Sequence, residues 1–328
     1  MPTLVTGATG FIGSHVARKL VERGEAVRVL IRKTSKTSNI DGLDVERVYG
    51  DVLDRESLRV AIKGCDTLYH VAGLVSSKKA HYKRMYDINV NGTINVLSAA
   101  LDEGVERAVY TSSIAAIGVD SNGGVANEET PFTLEHLGIQ YINTKHKAEN
   151  EALRIHKKGL PLVVVNPSVV VGPGDIYLAS CGFIVMYCKR RYPGYIDGGV
   201  NLVGVEDVAE GHLLAAENGR PGERYVLANK DYSIKELFSL LEKVTGISSP
   251  KIKIPYIVAL AGGYLTERLL RLPFSSFVLL DTDSVKATSL KWYFDSSKSI
   301  RELGFPQTSI EKTIEKTVEW FKENGYIR

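Results

Sequence analysis

Cysteine is scarce in this sequence: Cys65, Cys181 and Cys188 are the only three among 328 residues. An odd number without metal-ligand spacing excludes a disulfide framework and a cysteine-based zinc site, and it favours a reducing compartment. Long apolar runs are missing as well. The longest, from Ile254 to Leu265, is broken by Pro255 and the pair Gly262-Gly263 and is shorter than the ~20 residues a membrane span needs. Nor does one sign of charge dominate. Lys and Arg number 41 against 38 Asp and Glu, a net charge of +3. The basic clusters Lys78-Lys79, Lys157-Lys158 and Lys189-Arg190-Arg191 are too short for a nucleic-acid face and read as solvated surface. Before the first apolar run stand only Met1 and Pro2, too little for a signal peptide, so a cytoplasmic protein is expected.

What is present is a glycine-punctuated start. Thr3-Leu4-Val5-Thr6 suits a buried strand, and Val16, Ala17, Leu20 and Val21 recur at helical spacing up to Gly24. Between them lie Gly7, Gly10 and Gly13, three apart. Glycines there let the backbone turn, approach a pyrophosphate closely and pack the helix on the sheet, while the helix N-terminus offers free N–H groups to phosphate. The spacing is Gly-x-x-Gly-x-x-Gly rather than Gly-x-Gly-x-x-Gly. Alone, it would also suit a tight turn that binds nothing.

Further along, strands and helices alternate, which predicts a doubly wound parallel α/β sheet. The second strand, Ala26 to Ile31, ends in Arg32-Lys33-Thr34-Ser35. A carboxylate at this strand end would favour NAD; two cations favour the 2′-phosphate of NADP, although a plain exposed pair fits too. Asp51 follows the third strand, where it could meet an adenine amino group or merely cap a turn; Asp54 is expected to cap the next helix. The fourth strand, from Thr67, ends in the small residues Ala72 and Gly73. Tyr86 to Leu101 forms a helix with so broad an apolar face that it must be buried on more than one side, a dimer contact being one way. Thr111, Ser112 and Ser113 close the fifth strand at the edge where open α/β sheets bind ligands.

Tyr141 opens a helix running to about Lys158, with Lys145 one turn on, and Leu162 to Ser168 forms the sixth strand. Strands at Leu202–Val205 and Arg224–Leu227 are expected to return to the sheet, flanking a helix from Glu206 to Asn218. The expected division is a Rossmann domain over residues 1–176, joined again by 200–228, and a smaller, mostly helical C-terminal substrate lobe made of 177–199 and 229–328. Tyr177, Phe183, Tyr187 and Tyr195 could line an aromatic pocket or simply pack the lobe.

With a nicotinamide nearby, Ser113, Tyr141 and Lys145 make an acid–base set. A phenol of pKa ~10 is a poor proton carrier at neutral pH unless its anion is stabilised. Lysine one turn away is expected to lower that pKa, Ser113 to hold the oxygen on which charge develops, and Tyr141 to pass the proton. Tyr-x-x-x-Lys alone is a common surface pair; the combination is what points to chemistry. His70, His146 and His156 lack such an assembly and read as core or surface histidines.

The chain resembles the extended short-chain dehydrogenase/reductases. The likeness is carried by Thr6-Gly7-Ala8-Thr9-Gly10-Phe11-Ile12-Gly13, Gly50-Asp51-Val52-Leu53-Asp54, His70-Val71-Ala72-Gly73, Asn89-Val90-Asn91-Gly92-Thr93, Thr111-Ser112-Ser113, Tyr141-Ile142-Asn143-Thr144-Lys145 and Asn166-Pro167-Ser168. Arg32-Lys33-Thr34-Ser35, Gly172-Pro173-Gly174-Asp175 and Asn201 to Ala209 make it similar to the dihydroflavonol-4-reductase-like branch. The resemblance implies Asp51 and Val52 near adenine, Lys145 also on the nicotinamide ribose, and Pro167 and Ser168 near the nicotinamide. It likewise assigns Thr9, Phe11, Ile12, Val71, Asn89 and Thr111 to cofactor binding, and implies a homodimer through the helices near 86–101 and 141–157. Dehydratases of this fold carry Asp-Glu where this chain has Ile114-Ala115, and many nucleotide-sugar epimerases carry an arginine where it has Val200-Asn201-Leu202-Val203.

The resulting expectation is an NADP(H)-dependent carbonyl reductase or alcohol dehydrogenase, preferring NADP(H) to NAD(H), acting on a small or medium aldehyde or ketone. A nucleotide-sugar epimerase is the alternative. A non-catalytic NADP sensor is a third possibility, which the intact Ser113, Tyr141 and Lys145 argue against.

Overall fold

The computed structural model describes residues 1–77, 79–269 and 281–328, with 266–269 by backbone only. Its first half alternates β1 (Thr3–Thr6), α1 (Phe11–Glu22), β2 (Val27–Ile31), β3 (Glu46–Tyr49), α2 (Arg55–Ile62) and β4 (Thr67–His70). Helix α3 (Tyr82–Tyr86) runs through a π-helical stretch, Asp87–Gly92, into α4 (Thr93–Asp102). Then come β5 (Arg107–Thr111), α5 (Ile114–Ile117), α6 (Gln140–His156), β6 (Leu162–Pro167) and β7 (Val169–Val171). The remainder holds α7 (Gly182–Cys188), β8 (Gly199–Gly204), α8 (Val205–Asn218), β9 (Arg224–Leu227), β10 (Lys230–Ser233) and α9 (Ile234–Thr245). It ends with α10 (Tyr256–Leu269), α11 (Thr282–Thr288), α12 (Ser297–Leu303) and α13 (Ile310–Glu323).

Seven parallel strands form the main sheet in the order β3-β2-β1-β4-β5-β6-β9. Side-chain parity explains why its central strands are apolar throughout. Val5, Val109, Val163 and Val165 join a core on one face of the sheet, while Leu4, Ala108, Tyr110, Leu162 and Val164 join the core on the other. Each fully buried aliphatic side chain contributes roughly 1.5–3 kcal/mol. The strand order reverses between β1 and β4, so the crevice of the switch point opens at the Gly7–Gly13 turn.

Asp54 caps α2 as expected, its carboxylate accepting from Glu56 N, a contact worth about 1 kcal/mol. Arg224–Leu227 joins the main sheet as expected, but the strand expected over Leu202–Val205 does not. Gly199–Gly204 lies in a second sheet of order β10-β8-β7. The cause is a close approach that only glycine permits. A Cβ on Gly198 would fall 1.7 Å from the Thr288 carbonyl, and one on Gly199 would fall 2.2 Å from the Tyr293 ring. The chain therefore runs against residues 288–293, a partner invisible at a distance in sequence. The C-terminal region, expected to be mostly helical, thus also supplies β10, and residues 270–280 of the expected lobe lie outside the described residues.

The lobe has its own core of α7, α9 and α13 side chains. Tyr187 is buried there, stacked 5.6 Å from Phe238, and Phe183 and Tyr195 pack on the same cluster. Tyr177 is exposed. The packing reading therefore holds for Tyr187, Phe183 and Tyr195 but not for Tyr177.

Candidate active site

At the glycine turn the chain is built around backbone proximity. Gly7 has φ +74°, and a Cβ there would sit 2.6 Å from Ala72 N at the end of β4. A Cβ on Gly13 would reach within 2.3 Å of the Gly7 carbonyl. Gly10 is the N-cap of α1, without a side-chain cap and with no acidic residue in the first turn, so the helix presents bare N–H groups to the crevice. Thr9, Phe11 and Ile12 lie at this turn; Asn39 Nδ2 reaches from the loop after β2 to the Thr9 and Gly174 carbonyls at 3.4 and 3.0 Å.

Arg32 and Lys33 are exposed at the end of β2, and neither side chain has an ion pair among the described residues. Asp51 forms a local turn, accepting from Leu53 N at 3.0 Å, while a Cβ on Gly92 would press on Val52 at 2.8 Å. Val71, Ala72 and Gly73 follow β4, beside Thr6. Pro167 ends β6, and the buried Ser168 hydroxyl beyond it has no partner among the described residues. A bare helix N-terminus, a cradle that any Cβ would fill and an orphaned hydroxyl at the sheet edge together fit a dinucleotide.

Two residues expected in direct cofactor contact have their side chains engaged elsewhere. Thr111 turns its hydroxyl into the protein, 2.7 Å from His212 Nε2, and its carbonyl accepts from Lys145 Nζ at 2.9 Å. His212 Nδ1 lies 2.7 Å from the Val208 carbonyl and burial holds its pKa down at about 4, so the ring is neutral and Nε2 accepts from Thr111. Asn89, in the π-helical stretch, accepts from Leu74 N at 2.7 Å and donates to Leu74 O at 2.9 Å and to Thr144 Oγ1 at 3.3 Å. It therefore ties the loop after β4 to α6, a positioning role.

Ser113 is the N-cap of α5, its Oγ accepting from Ala115 N at 3.1 Å. Helix α5 packs on α6, whose first turns carry Tyr141 and Lys145. Burial pushes the Tyr141 phenol above its ordinary value, and the neighbouring Ser113 hydroxyl pulls in the opposite direction. Lys145 Nζ donates to the Thr111 carbonyl at 2.9 Å and sits 5.3 Å from the Tyr110 ring centroid. Burial brings the Lys145 ammonium down to about 8, with Glu149 opposing.

Glu149, one turn beyond Lys145, had no place in the sequence reading. It is buried, accepting from Asn166 Nδ2 at 2.6 Å and from Arg224 Nη1 at 3.1 Å. Asn166 Nδ2 also donates to the Ser113 carbonyl at 3.0 Å, so α6, β6, β9 and the Ser113 turn share one polar cluster. Asp175, which entered the sequence reading only within the Gly172–Asp175 motif, has a buried carboxylate that accepts from the backbone N–H groups of Ala179, Ser180 and Cys181 and shapes the loop after β7. The three histidines set aside from sequence are structural. His70, neutral with a pKa brought down to about 3 by burial, bridges Thr6 and Thr93; His146 stacks on Phe132; His156 bonds the Leu160 carbonyl.

Residues 3–228 match the NAD dependent epimerase/dehydratase family. The chain belongs to that family. Members of this family are NAD(P)-dependent oxidoreductases, epimerases and dehydratases, and this chain is an NAD(P)-dependent oxidoreductase of the extended short-chain dehydrogenase/reductase type. It is 38% identical to a Synechocystis sp. protein named "Putative dihydroflavonol 4-reductase", over 99% of this chain and 95% of that one. It is 35% identical to sterol demethylase protein B of Methylococcus capsulatus over the full length of both. Among solved structures, gox2253 superposes with a TM-score of 0.87 at 37% identity, covering 99% of each chain. Within the family, the seven-stranded sheet and helical C-terminal region found here are the expected architecture.

Proposed function

We propose that this chain is an NADPH-dependent carbonyl reductase that works reversibly as an alcohol dehydrogenase, with Ser113, Tyr141 and Lys145 as its catalytic residues. The observation that carries the proposal is that α5 packs on α6 with the Ser113 hydroxyl beside the Tyr141 phenol, while Lys145 Nζ, one turn on, bonds the Thr111 carbonyl at the end of β5. The bound nicotinamide cofactor supplies or accepts the hydride. Gly7, Gly10 and Gly13 would hold its pyrophosphate, Asp51 and Val52 its adenine, Lys145 its ribose, and Pro167 and Ser168 would stand near its reacting ring.

In reduction the Tyr141 phenol donates its proton to the substrate oxygen, and Ser113 hydrogen-bonds that oxygen as charge gathers on it. A phenol held above its ordinary pKa by burial stays protonated at neutral pH, which suits a donor. Lys145, charged below about pH 8, supplies the compensating cation when the phenolate forms. The relatives' names speak of flavonoid and sterol chemistry. Together with the lack of arginine over Val200 to Val203, they favour a carbonyl on a large apolar skeleton over a nucleotide sugar. All three cysteines are free thiols, in keeping with a cytoplasmic enzyme. Half-buried Ile88, Ile94 and Leu153 beside α4 and α6 support a homodimer through these helices.

The test is cofactor consumption by the purified protein against aldehydes, ketones, flavonoid and steroid carbonyls, with NADPH and NADH in parallel. Turnover favouring NADPH is expected; interconversion of nucleotide sugars without net cofactor change would overturn the reductase reading. If Arg32 and Lys33 pair with the 2′-phosphate, Arg32→Ser with Lys33→Ser should raise KM for NADPH at least tenfold and leave KM for NADH within about twofold, two charge-assisted contacts being worth several kcal/mol.

A pH profile offers a second check. kcat/KM for reduction should fall as pH rises through about 8, where Lys145 loses its proton, while Tyr141 remains protonated. Lys145→Arg should move that fall to higher pH. The stability linkage has the opposite sense to a salt-bridged lysine. The folded state disfavours the ammonium, so the cost is present below about pH 8 and is relieved between there and the ordinary 10.5.

A further inference from the structure

We infer that the outer face of α10, together with the basic segment beside it, docks on the surface of an anionic lipid bilayer. Ile257, Val258, Tyr264 and Leu265 are 78%, 59%, 56% and 56% exposed, and Ile252 just before the helix is 66% exposed. At 100° per residue Ile257, Val258, Ala261, Tyr264 and Leu265 fall on one arc, all facing out, while Gly263 is buried and Ala259 and Leu260 are partly covered. This is the reverse of an ordinary surface helix, which turns its bulky apolar residues inward. No charged residue interrupts Tyr256 to Leu265. An apolar patch so continuous marks an interaction site rather than solvent-facing surface.

The charges around it choose the partner. Tyr195 N donates to Ile252 O at 2.9 Å and Ile254 N to Tyr195 O at 2.7 Å. These bonds hold the segment that follows Lys189-Arg190-Arg191 alongside Lys251–Ile254. Lys189, Arg190 and Lys251 are exposed and have no ion pair among the described residues; Lys253 pairs with Asp197 at 2.5 Å. A second copy docking through the same face about a two-fold axis would bring these cations against their own images. An anionic bilayer accepts both the apolar arc and the cations, the pattern of a helix that lies in the interface. With 14 residues α10 lies on the membrane and does not cross it, and no described helix is long and apolar enough to span one. Its place in the fold gives the contact a purpose. α10 packs on α11, which is held to the loops near α6 by Lys286 Nζ on the Leu137 carbonyl at 2.9 Å and to α3 by Tyr82 on Asp283 at 2.7 Å.

Cosedimentation of the full chain with phosphatidylcholine vesicles, with and without phosphatidylglycerol, tests this. Binding to the mixed vesicles is expected, weakened by added salt. Ile257→Ser with Leu265→Ser should weaken it about tenfold or more, and each of Lys189→Gln, Arg190→Gln and Lys251→Gln about fivefold. These variants lie outside the catalytic and cofactor residues and should keep the wild-type Tm and turnover of a water-soluble carbonyl. No binding to mixed vesicles, or equal binding by the wild type and the serine variant, overturns the inference. So does a concentration-dependent dimer that the serine variant loses, which would assign the face to a second copy. Vesicle binding without any carbonyl turnover would leave the docking surface standing and remove the reductase reading instead.

Discussion

Tyr141→Phe should lower kcat for carbonyl reduction by about 10²–10⁴-fold, the range for removing a positioned proton donor, and leave the Kd for NADPH nearly unchanged. The phenol ring packs with the Ile142 and Leu134 cluster, and phenylalanine keeps that ring, so the fold should be unaffected. What disappears is the proton that the substrate oxygen takes up as it gains charge, an interaction needed mainly in the transition state. A fall in kcat without a matching rise in KM is therefore the expected signature. Ser113→Ala should cost less, since a hydrogen bond is lost but the proton is not. It also removes the cap on Ala115 N, so its stability should be measured alongside. A Tyr141→Phe protein that turns over at the wild-type rate would remove the proposed chemistry altogether.

Local chemistry was legible in the sequence wherever one short segment carries it. Gly7, Gly10 and Gly13 announce their turn because the clash they avoid involves neighbours a few residues away and the strand beside them. Asp54 announces its cap for the same reason. The alternation of apolar strands with amphipathic helices led to the main sheet, since a parallel sheet buried on both faces leaves no polar side to its strands. Placement of β8 failed because its neighbours were decided by Gly198 and Gly199 meeting residues 288–293, some 90 positions on. The side-chain directions of Asn89 and Thr111 were hidden for another reason. Their positions at the crevice were legible, but the direction of each side chain depends on Leu74, Thr144 and His212, which pattern alone does not bring together. Lys145 shows the same limit in electrostatics. Its spacing from Tyr141 follows from the helix, whereas burial, a property of the assembled core, sets its pKa and its bond to the Thr111 carbonyl.

Glu149→Ala should be the most damaging single change away from the reacting groups. Its carboxylate is buried, Arg224 is only partly exposed, and their contact spans 75 residues between α6 and β9. Removing the acid leaves the guanidinium short of its counter-charge and Asn166 Nδ2 without its 2.6 Å acceptor. Breaking a buried pair in this way costs about 3–5 kcal/mol, and the partial exposure of Arg224 puts the expected loss near the lower bound. Urea unfolding should show it, and adding Arg224→Ala should recover part of the loss, since the uncompensated charge goes with it. Glu149→Gln separates structure from electrostatics: it keeps an amide oxygen for Asn166 and removes the negative charge that raises the Lys145 pKa. The alkaline fall in kcat/KM should then begin below about pH 8 in the glutamine variant, because burial acts on Lys145 unopposed. A glutamine variant with the wild-type pH profile would mean that Glu149 only braces the Ser113 turn through Asn166 and does not tune the lysine.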